Sequence, residues 1–253
     1  MDLRSSFVIS GKLADKLTGN AVPEVRAVQG ATGIGSDGIN KLAVDPNSKW
    51  LSVPFGNITF AAEGQENSSR YFSRVLHYPG GAASGVTIGR GYDLGNRSKL
   101  EISRDLVASG VDTTIAARIA QGAGLKGSAA ASFVREYRNQ IPPICQQAQY
   151  RLFTDVVAPS YVKDIVRIFN KPDVVAKYGN AHWDALPQEM QELVFDLRYR
   201  GDYTPETRKL LQSALVSADR DSFFSVIRDE GYWLQRGVPA SRVAARIAAT
   251  YAH

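Results

Sequence analysis

Three residues in the first half of the chain, Glu63, Thr87 and Asp93, carry side chains that together suit acid–base hydrolysis. Breaking a glycosidic bond needs a carboxylic acid that protonates the leaving oxygen and an opposing group that supplies a nucleophile or orients a water molecule. A glutamate can be the acid, a threonine hydroxyl can hold the water, and an aspartate can take the proton of that water. The acid is expected in a partly apolar wall, because burial raises the pKa of a carboxyl group and keeps it protonated.

The spacing of Thr87 and Asp93 allows their side chains to meet in two ways. They stand six residues apart in the segment SGVTIGRGYDLG, residues 84–95. In one uninterrupted strand an even separation places both side chains on the same face, and a bend at the glycines would also fold them toward one point. Closely spaced glycines let the backbone approach a bulky ligand. A structural alternative stays open, in which Thr87 is a plain strand residue and Asp93 forms a turn.

The apolar segment before Glu63 is expected to deliver its carboxyl group. Residues 58–62 read ITFAA and predict a helix that ends as the chain approaches the glycine-rich segment. Glu66 is the rival acid, because it stands three residues after Glu63 and would lie near it if the helix continued.

The elements that must position these residues divide the chain into three regions. Residues 1–52 alternate short apolar runs with turn residues and predict a β-rich N-terminal extension, with a strand, a turn and a strand over 7–23. Residues 53–253 predict one catalytic domain, in which 57–97 form the catalytic helix and β-lobe and 98–253 form a helical lobe. We expect an α+β fold with a cleft between the small β-hairpin lobe and the larger helical lobe, where an extended polymer can lie.

Capping and stop signals locate the helices of the C-terminal region. We predict helices from Ser98 to Gly110, from Asp112 to Gly122, over 187–200 before Gly201, from Thr204 onward, over 221–236 and over 239–251, with Pro159 breaking or kinking the stretch 144–170.

Composition and charge exclude several classes of function. The chain has 253 residues, a net charge of +5, three histidines and a single cysteine. The histidines and the cysteine match no metal-binding spacing, and one cysteine forms no intramolecular disulfide, so we expect no metal and no other cofactor. The basic residues form no run and no basic–aromatic pattern, so nucleic acid is not an expected partner. No segment approaches the roughly 20 apolar residues of a membrane span, and residues 1–10 do not have the pattern of a secretory signal.

The chain resembles the pesticin-type lysozymes, relatives of the phage-type lysozymes, in residues 63–95, which read EGQENSSRYFSRVLHYPGGAASGVTIGRGYDLG. The shared features are a Glu-Gly that closes a helix, a Tyr-Pro about fifteen residues later, and the run S-G-V-T-I-G-x-G-aromatic-D-L-G. Fainter similarity continues to the last helix, so that the resemblance covers residues 55–253.

This resemblance implies a lysozyme-like fold and hydrolysis of the β-1,4 bond between N-acetylmuramic acid and N-acetylglucosamine in bacterial peptidoglycan. It assigns the acid position to Glu63, the water-holding position to Thr87 and the second carboxylate to Asp93. Members of this family are bacteriocins, effectors injected into competitors by secretion machines such as type VI systems, and phage lysis enzymes. We therefore expect a monomer that is made in the cytoplasm and acts on glycan strands in the wall or periplasm of a target bacterium. A secretion-machine carrier and a protective immunity protein are the implied protein partners.

The chain departs from the wider phage-type pattern at two positions. Those enzymes carry an aspartate two residues after the tyrosine that precedes the TIG run, and here Gly80 stands in that place. Asp93 must then supply the second carboxylate, as in the pesticin branch. Arg90 replaces a small or apolar residue of TIGxG, and we expect it to point to solvent, with substrate contact as the alternative.

Further candidates for substrate binding are mostly aromatic. Tyr78, Tyr92 and Trp183 are of a type that stacks on sugar faces, although aromatic side chains more often belong to the core. Tyr199 is expected to line the cleft from the helical lobe, and Arg90 completes the set.

Other functions remain open on the sequence alone. One is a non-catalytic module that binds cell walls and has kept the fold, although the presence of all three catalytic residue types argues against it. Another is a hydrolase of chitosan or chitin. A phage endolysin would perform the same chemistry in a different setting.

Overall fold

A computed structural model describes residues 48–66 and 72–251. The chain divides between Ser48 and Lys49, and the fold given below is that of the part from Lys49 onward. The strand, turn and strand predicted over 7–23, and the β-rich extension to which they belong, lie outside the described residues.

Helices dominate this part of the chain, and a small antiparallel sheet accompanies them, which confirms the coarse prediction of an α+β fold. The α-helices are α1 Asn57–Ala62, α2 Lys99–Ala108, α3 Thr113–Ile119, α4 Gly127–Tyr137, α5 Gln146–Arg151, α6 Ala158–Phe169, α7 Pro172–Tyr178, α8 Gln188–Arg200, α9 Pro205–Ser217, α10 Arg220–Ile227, α11 Glu230–Gln235 and α12 Ala240–Ala249. The strands are β1 Thr87–Ile88 and β2 Tyr92–Asp93, the 3-10 helices are Ser48–Trp50, Ala120–Gly122 and Trp183–Ala185, and Leu152–Val157 is π-helical. Within the ranges described, no helix is both long and apolar enough to span a membrane.

The glycine-rich segment forms a hairpin, as its sequence predicts. Thr87 pairs with Asp93 across the two antiparallel strands. Gly89 and Gly91 in the connection have φ angles of +63° and +88°, which side chains other than that of glycine rarely adopt. Of the two ways in which Thr87 and Asp93 could meet, the bend at the glycines is therefore the one that occurs.

The predicted helix starts at Ser98, Asp112 and Thr204 are confirmed. The Ser98 side chain accepts the backbone N–H of Glu101 at 3.2 Å, and the Asp112 side chain accepts that of Thr114 at 2.9 Å. Thr204 begins α9 with a capping box. Each side chain satisfies a backbone donor that the first turn of a helix leaves without a partner.

Two predictions about helix continuity need correction. The single helix expected over 221–236 is split into α10 and α11, because Asp229 accepts the N–H of Tyr232 at 3.0 Å and caps a new helix. The break predicted at Pro159 does not occur, since α5 continues through the π-helical turn directly into α6, and the alternative of a kink there stays a prediction. That turn lies just before Pro159, a residue that has no N–H for regular helical bonding.

Helix α1 is held against α8 at both its start and its middle. At the start, both carboxylate oxygens of Glu192 on α8 accept the backbone N–H of Gly56, at 3.0 and 2.9 Å. In the middle, Phe60 packs edge-to-face on Phe153, with ring centroids 5.0 Å apart, and Phe153 packs on Phe195 of α8. Because α1 has only six residues, these contacts fix where its C-terminal end lies.

Glu192 should make the stability of the fold depend on pH. Burial raises the pKa of Glu192 from an ordinary value of 4.5 to about 7, although hydrogen bonds from the Gly56 and Asn57 backbones oppose this. Between these two pH values the folded chain binds more protons than the unfolded chain, so the free energy of unfolding falls as pH rises and the stabilisation is lost as pH passes about 7. We expect Glu192→Gln to abolish this fall in the free energy of unfolding, which is on the order of 2–3 kcal/mol between the two pH values.

Urea unfolding at a series of pH values between about 4 and 8 measures this effect. The matched control is Glu230→Gln, which changes an exposed glutamate at the start of α11. The expectation is wrong if the Glu192→Gln profile runs parallel to that of the unchanged protein across the whole range.

Candidate active site

Glu63 lies directly at the C-terminal end of α1, where the apolar helix was predicted to deliver it. Its backbone N–H donates to the carbonyl of Thr59 at 2.9 Å, and its side chain is 30% exposed, so a ligand can reach the carboxylate. The prediction of a partly apolar wall around the carboxylate is wrong on one side, because Oε1 accepts a hydrogen bond from Nη1 of Arg242 on α12 at 2.5 Å. The carboxylate thus has an arginine partner and an open side.

A groove of about 740 Å³ opens beside Glu63. One wall is formed by the end of α1 and the residues that follow, 62–65, and another by 77–79, which include the predicted ligand residue Tyr78. The groove is completed by the face of α4 that carries Ala131 and Val134. Pockets for small ligands typically enclose roughly 300–1,000 Å³, so the groove is large enough to hold part of a polymer chain.

The Asp93 carboxylate is fixed by backbone donors of its own hairpin. Oδ2 accepts the N–H of Gly85 at 2.9 Å, and Oδ1 accepts that of Gly95 at 2.6 Å. A β-carbon on Gly85 would overlap Oδ1 of Asp93, and one on Gly95 would lie 2.9 Å from it. Glycine at these two positions therefore lets the backbone close around the carboxylate and orient it.

Thr87 is brought to the same face as Asp93 but is more deeply placed. Its side chain is only 3% exposed, and its hydroxyl donates to the carbonyl of Gly85 at 3.3 Å. Directly opposed residues of a hairpin have β-carbons about 4.5–5.5 Å apart, so the hydroxyl and the carboxylate are neighbours. Because that hydrogen bond uses the one hydroxyl proton, the oxygen keeps its lone pairs to accept from water.

A pair of tyrosines packs beside the hairpin that carries Asp93. The rings of Tyr161 on α6 and Tyr199 on α8 lie with centroids 4.6 Å apart. Burial raises the pKa of Tyr161, the positive charge of Arg198 opposes this rise, and the negative charges of Glu63 and Asp93 add to it. Burial and the charge of Glu63 also raise the pKa of Tyr199, whose hydroxyl donates to the carbonyl of Arg90 at 3.3 Å. The Tyr199 hydroxyl therefore contacts the hairpin directly, and the charges of both candidate carboxylates raise the pKa of its ring neighbour, Tyr161.

A chain of alternating buried charges continues inward from Glu63. Arg242 pairs with Asp196 at 2.7 Å, Asp196 pairs with Arg246 at 2.7 Å, and Arg246 pairs with Asp202 at 2.7 Å. Asp196 and Arg246 have fully buried side chains. Burial alone would raise the pKa of Asp196, but hydrogen bonds and charge from the two arginines outweigh this and lower it. Alternation of sign gives every buried charge a counter-charge.

The sequence matches a protein family, described as a domain of unknown function, DUF8812, over residues 56–247, which is well over half of the chain. The chain belongs to this family. The matched range contains Glu63, the hairpin and Arg242, so the whole candidate site lies within the DUF8812 domain. A comparison with curated proteins finds no match to the chain.

The rival acid of the DUF8812 domain, Glu66, is engaged in a network that leaves it no such role. The helix does not continue to Glu66, and its carboxylate accepts from Arg74 at 3.0 Å, Arg90 at 2.9 Å, Gln149 at 2.7 Å and Gln146 at 3.2 Å. Burial raises the pKa of Glu66, but the Gln149 hydrogen bond and the two arginines outweigh burial and lower it. Glu66 therefore balances buried arginines.

The predicted orientation of Arg90 toward solvent is wrong, and so is its predicted contact with substrate. The side chain is 5% exposed, and its guanidinium stacks on the Phe60 ring at 4.0 Å from the centroid. It also donates to the carbonyl of Phe60 and pairs with Glu66. The physical reason is that a flat guanidinium both covers an aromatic ring and neutralises a buried carboxylate.

Two predicted substrate-binding aromatics of the DUF8812 domain belong to the core instead. Tyr92 is fully buried, donates its hydroxyl to Asp105 at 2.9 Å and has Arg97 over its ring at 4.5 Å. Trp183 is 5% exposed and packs against Phe55. Both rings are thus buried, and neither residue offers a ring face to a sugar. Tyr78 and Tyr199 are the members of the predicted set that lie next to the groove or to Glu63.

The site also contains residues that the sequence predictions did not include. Asp196 is one of them, and its signal is a charged residue among apolar neighbours in the segment LVFDL of α8. Arg242 and Arg246 are two more, four residues apart and hence on one face of α12. Tyr161 has no comparable local signal, because it is one of two aromatic residues on the amphipathic helix α6.

The single cysteine of the DUF8812 domain does not join the site. Cys145 is exposed, and its sulfur accepts the N–H of Ala148 at 3.4 Å at the start of α5. Across 48–66 and 72–251, no group of three or more His, Cys, Asp or Glu side chains is arranged to hold a metal ion. That the protein needs no cofactor stays a prediction.

A comparison of Gly91→Ala with Gly80→Ala should separate the cost of backbone strain from the cost of steric overlap with Tyr199. A β-carbon at Gly91 would overlap the hydroxyl of Tyr199, whereas nothing lies within 4 Å of one at Gly80. Both residues have positive φ, +88° and +100°, so both alanine variants incur the left-handed backbone cost of roughly 1–2 kcal/mol. We expect Gly91→Ala to lower the free energy of unfolding by about 2 kcal/mol more than Gly80→Ala, because only the former must displace Tyr199. Equal losses in urea unfolding would show that Tyr199 moves away without cost.

Proposed function

We propose that the chain is a muramidase of lysozyme-like fold, which hydrolyses the β-1,4 bond between N-acetylmuramic acid and N-acetylglucosamine in bacterial peptidoglycan. The observation that carries this proposal is that Glu63 lies on the wall of a groove of about 740 Å³ with its carboxylate 30% exposed, while backbone N–H groups of the hairpin orient a second carboxylate, that of Asp93. An acid and a second carboxylate are what glycosidic hydrolysis requires. The similarity of residues 63–95 to the pesticin-type lysozymes supplies the substrate.

Glu63 is the general acid in this proposal. To act, it must take up a proton and release its ion pair with Arg242. When that happens, Arg242 keeps its three hydrogen bonds to Asp196, at 2.7, 3.1 and 3.2 Å. The guanidinium is then not left buried without a counter-charge, which is the situation that makes a broken ion pair costly.

Asp93 and Thr87 position and activate the water. A carboxylate offers about four lone-pair sites, of which the N–H groups of Gly85 and Gly95 occupy two, so that acceptor capacity remains for a water proton. The Thr87 oxygen, with its proton directed to the Gly85 carbonyl, accepts a hydrogen bond from the same water. The two residues thus hold a water and receive its proton.

The biological setting follows from the same resemblance. We place the enzyme among antibacterial proteins, as a toxin or effector that reaches the periplasm or wall of a target cell with the help of a secretion-machine carrier. A producing bacterium then needs an immunity protein, and a phage endolysin is the alternative setting.

A comparison of polymers tests the proposed activity. Purified protein is incubated with peptidoglycan, chitosan and chitin, and soluble products are measured over time. We expect release from peptidoglycan. Binding to peptidoglycan without any release would favour a non-catalytic wall-binding module, and faster release from chitosan or chitin would overturn the proposed substrate.

A further inference from the structure

The groove beside Glu63 is lined by charged side chains of opposite sign on different sides. Glu63 contributes a carboxylate at the end of α1, whereas the α4 side of the groove contributes the guanidinium groups of Arg135 and Arg138. His77 also lines the groove, and burial, together with the positive charge of Arg138, lowers its pKa, although a hydrogen bond with the Val75 carbonyl opposes this. The negative charge and the positive charges therefore lie on different walls of one cavity.

The two arginines differ in how they are held. Nη1 of Arg138 donates to the carbonyl of Leu76 at 2.8 Å, which anchors Arg138 to the wall. Arg135 is exposed, and its one hydrogen bond within the described part of the chain is from Nη2 to the hydroxyl of Ser132 at 3.0 Å. A guanidinium has five N–H donors, so Arg135 keeps donors for a ligand.

From this geometry we infer that Arg135, supported by Arg138, binds a carboxylate of the substrate while Glu63 faces the bond to be cleaved. The inference rests on the proposed muramidase function. Arginine suits this role, because its planar fork matches a carboxylate and forms charge-assisted hydrogen bonds with it. The positive charges of Arg135 and Arg138 favour the anionic group on the α4 side of the groove, away from the acid.

This arrangement selects among related glycans. N-acetylmuramic acid carries a lactyl group with a carboxyl function, which is either free or extended by a peptide stem that has carboxylates of its own. Chitin carries no charge, and chitosan carries positive charge. Arg135 therefore favours glycans that contain muramic acid over both, and it makes the groove a determinant of specificity.

Binding measured on the Glu63→Gln background tests the inference separately from hydrolysis. Dissociation constants are determined by calorimetry for three soluble ligands: a muramic-acid-containing tetrasaccharide with free lactyl carboxylates, the same tetrasaccharide with peptide stems, and an N-acetylglucosamine tetramer. We expect both anionic ligands to bind more tightly than the neutral one. Adding Arg135→Ala should weaken the binding of the anionic ligands by roughly fivefold and leave the neutral ligand unchanged, as for a partly exposed ion pair.

Two further variants sharpen the test. Arg135→Lys should restore part of the affinity, and Arg118→Ala, an exposed arginine of α3 outside the groove, should have no effect. Weakening confined to one anionic ligand would identify which carboxylate Arg135 binds, lactyl or stem. The inference is overturned if Arg135→Ala changes all three affinities equally, changes none, or if no ligand binds. The proposed function fails independently, if the unchanged protein does not cleave peptidoglycan.

Discussion

Glu63→Gln is expected to lower the rate of peptidoglycan hydrolysis by roughly 10²–10⁴-fold, the usual contribution of a general acid. The amide keeps the shape of the side chain and can still accept a hydrogen bond from Arg242, but it has no acidic proton for the leaving oxygen. Arg242 also keeps Asp196 as its counter-charge. The free energy of unfolding should therefore change little, and the loss of rate should occur in a folded protein. Release of reducing ends, measured beside a urea unfolding curve, gives both quantities.

The matched control for this variant is Glu66→Gln. Glu66 is also a carboxylate close to the end of α1, but it forms ion pairs with Arg74 and Arg90 and does not line the groove. We expect Glu66→Gln to lower stability while the folded fraction keeps most of its activity. If the folded Glu63→Gln protein digests peptidoglycan at a rate near that of the unchanged protein while Glu66→Gln is inactive, the assignment of the acid is wrong.

Asp196→Ala is expected to have the largest effect on stability, lowering the free energy of unfolding by about 3–5 kcal/mol. Asp196 is fully buried, pairs with Arg242 and Arg246 at 2.7 Å each, and accepts the hydroxyl of Thr59 at 2.7 Å. Its removal leaves two buried guanidinium groups short of a counter-charge at once. Arg242 would then be free to shift away from Glu63, so the surviving folded molecules should also lose activity.

Denaturant unfolding of Asp196→Ala beside Asp221→Ala measures this contribution. Asp221 is an exposed aspartate in the first turn of α10, and its removal should cost no more than about 0.5 kcal/mol. A loss below about 1 kcal/mol for Asp196→Ala would mean that the arginines find other partners, and that the charge chain does not hold α12 to α8.

Local sequence signals predicted the hairpin and the helix starts of the fold that positions the site. The hairpin follows from glycines at positions of positive φ around the β-branched residues Thr87 and Ile88. The helix starts follow from side chains such as Asp112, which bond backbone N–H groups only two or three positions away. Signals of this kind act within one turn of the chain, and no distant residue is needed to interpret them.

The partners of the catalytic candidates could not be predicted in the same way. Arg242 is 179 positions from Glu63 in the sequence, so their ion pair depends on how α12 packs against α1. Arg90 and Tyr92 show the same limit, because the orientations of their side chains also depend on distant residues. Their residue types suit a ligand, but which way a hairpin side chain points is decided by the tertiary packing, and both point into the core. Asp196, a charge within an apolar run, carried a local sign of a buried partner.

The sugar at the newly formed reducing end tests the proposed muramidase activity most directly. Peptidoglycan is digested by the unchanged protein and by Glu63→Gln, the products are reduced with borohydride, and mass spectrometry identifies the reduced sugar. We predict N-acetylmuramitol ends with the unchanged protein and almost none with Glu63→Gln. Ends of N-acetylglucosaminitol, release of peptide stems without cleavage of the glycan, or undiminished products from Glu63→Gln would contradict it.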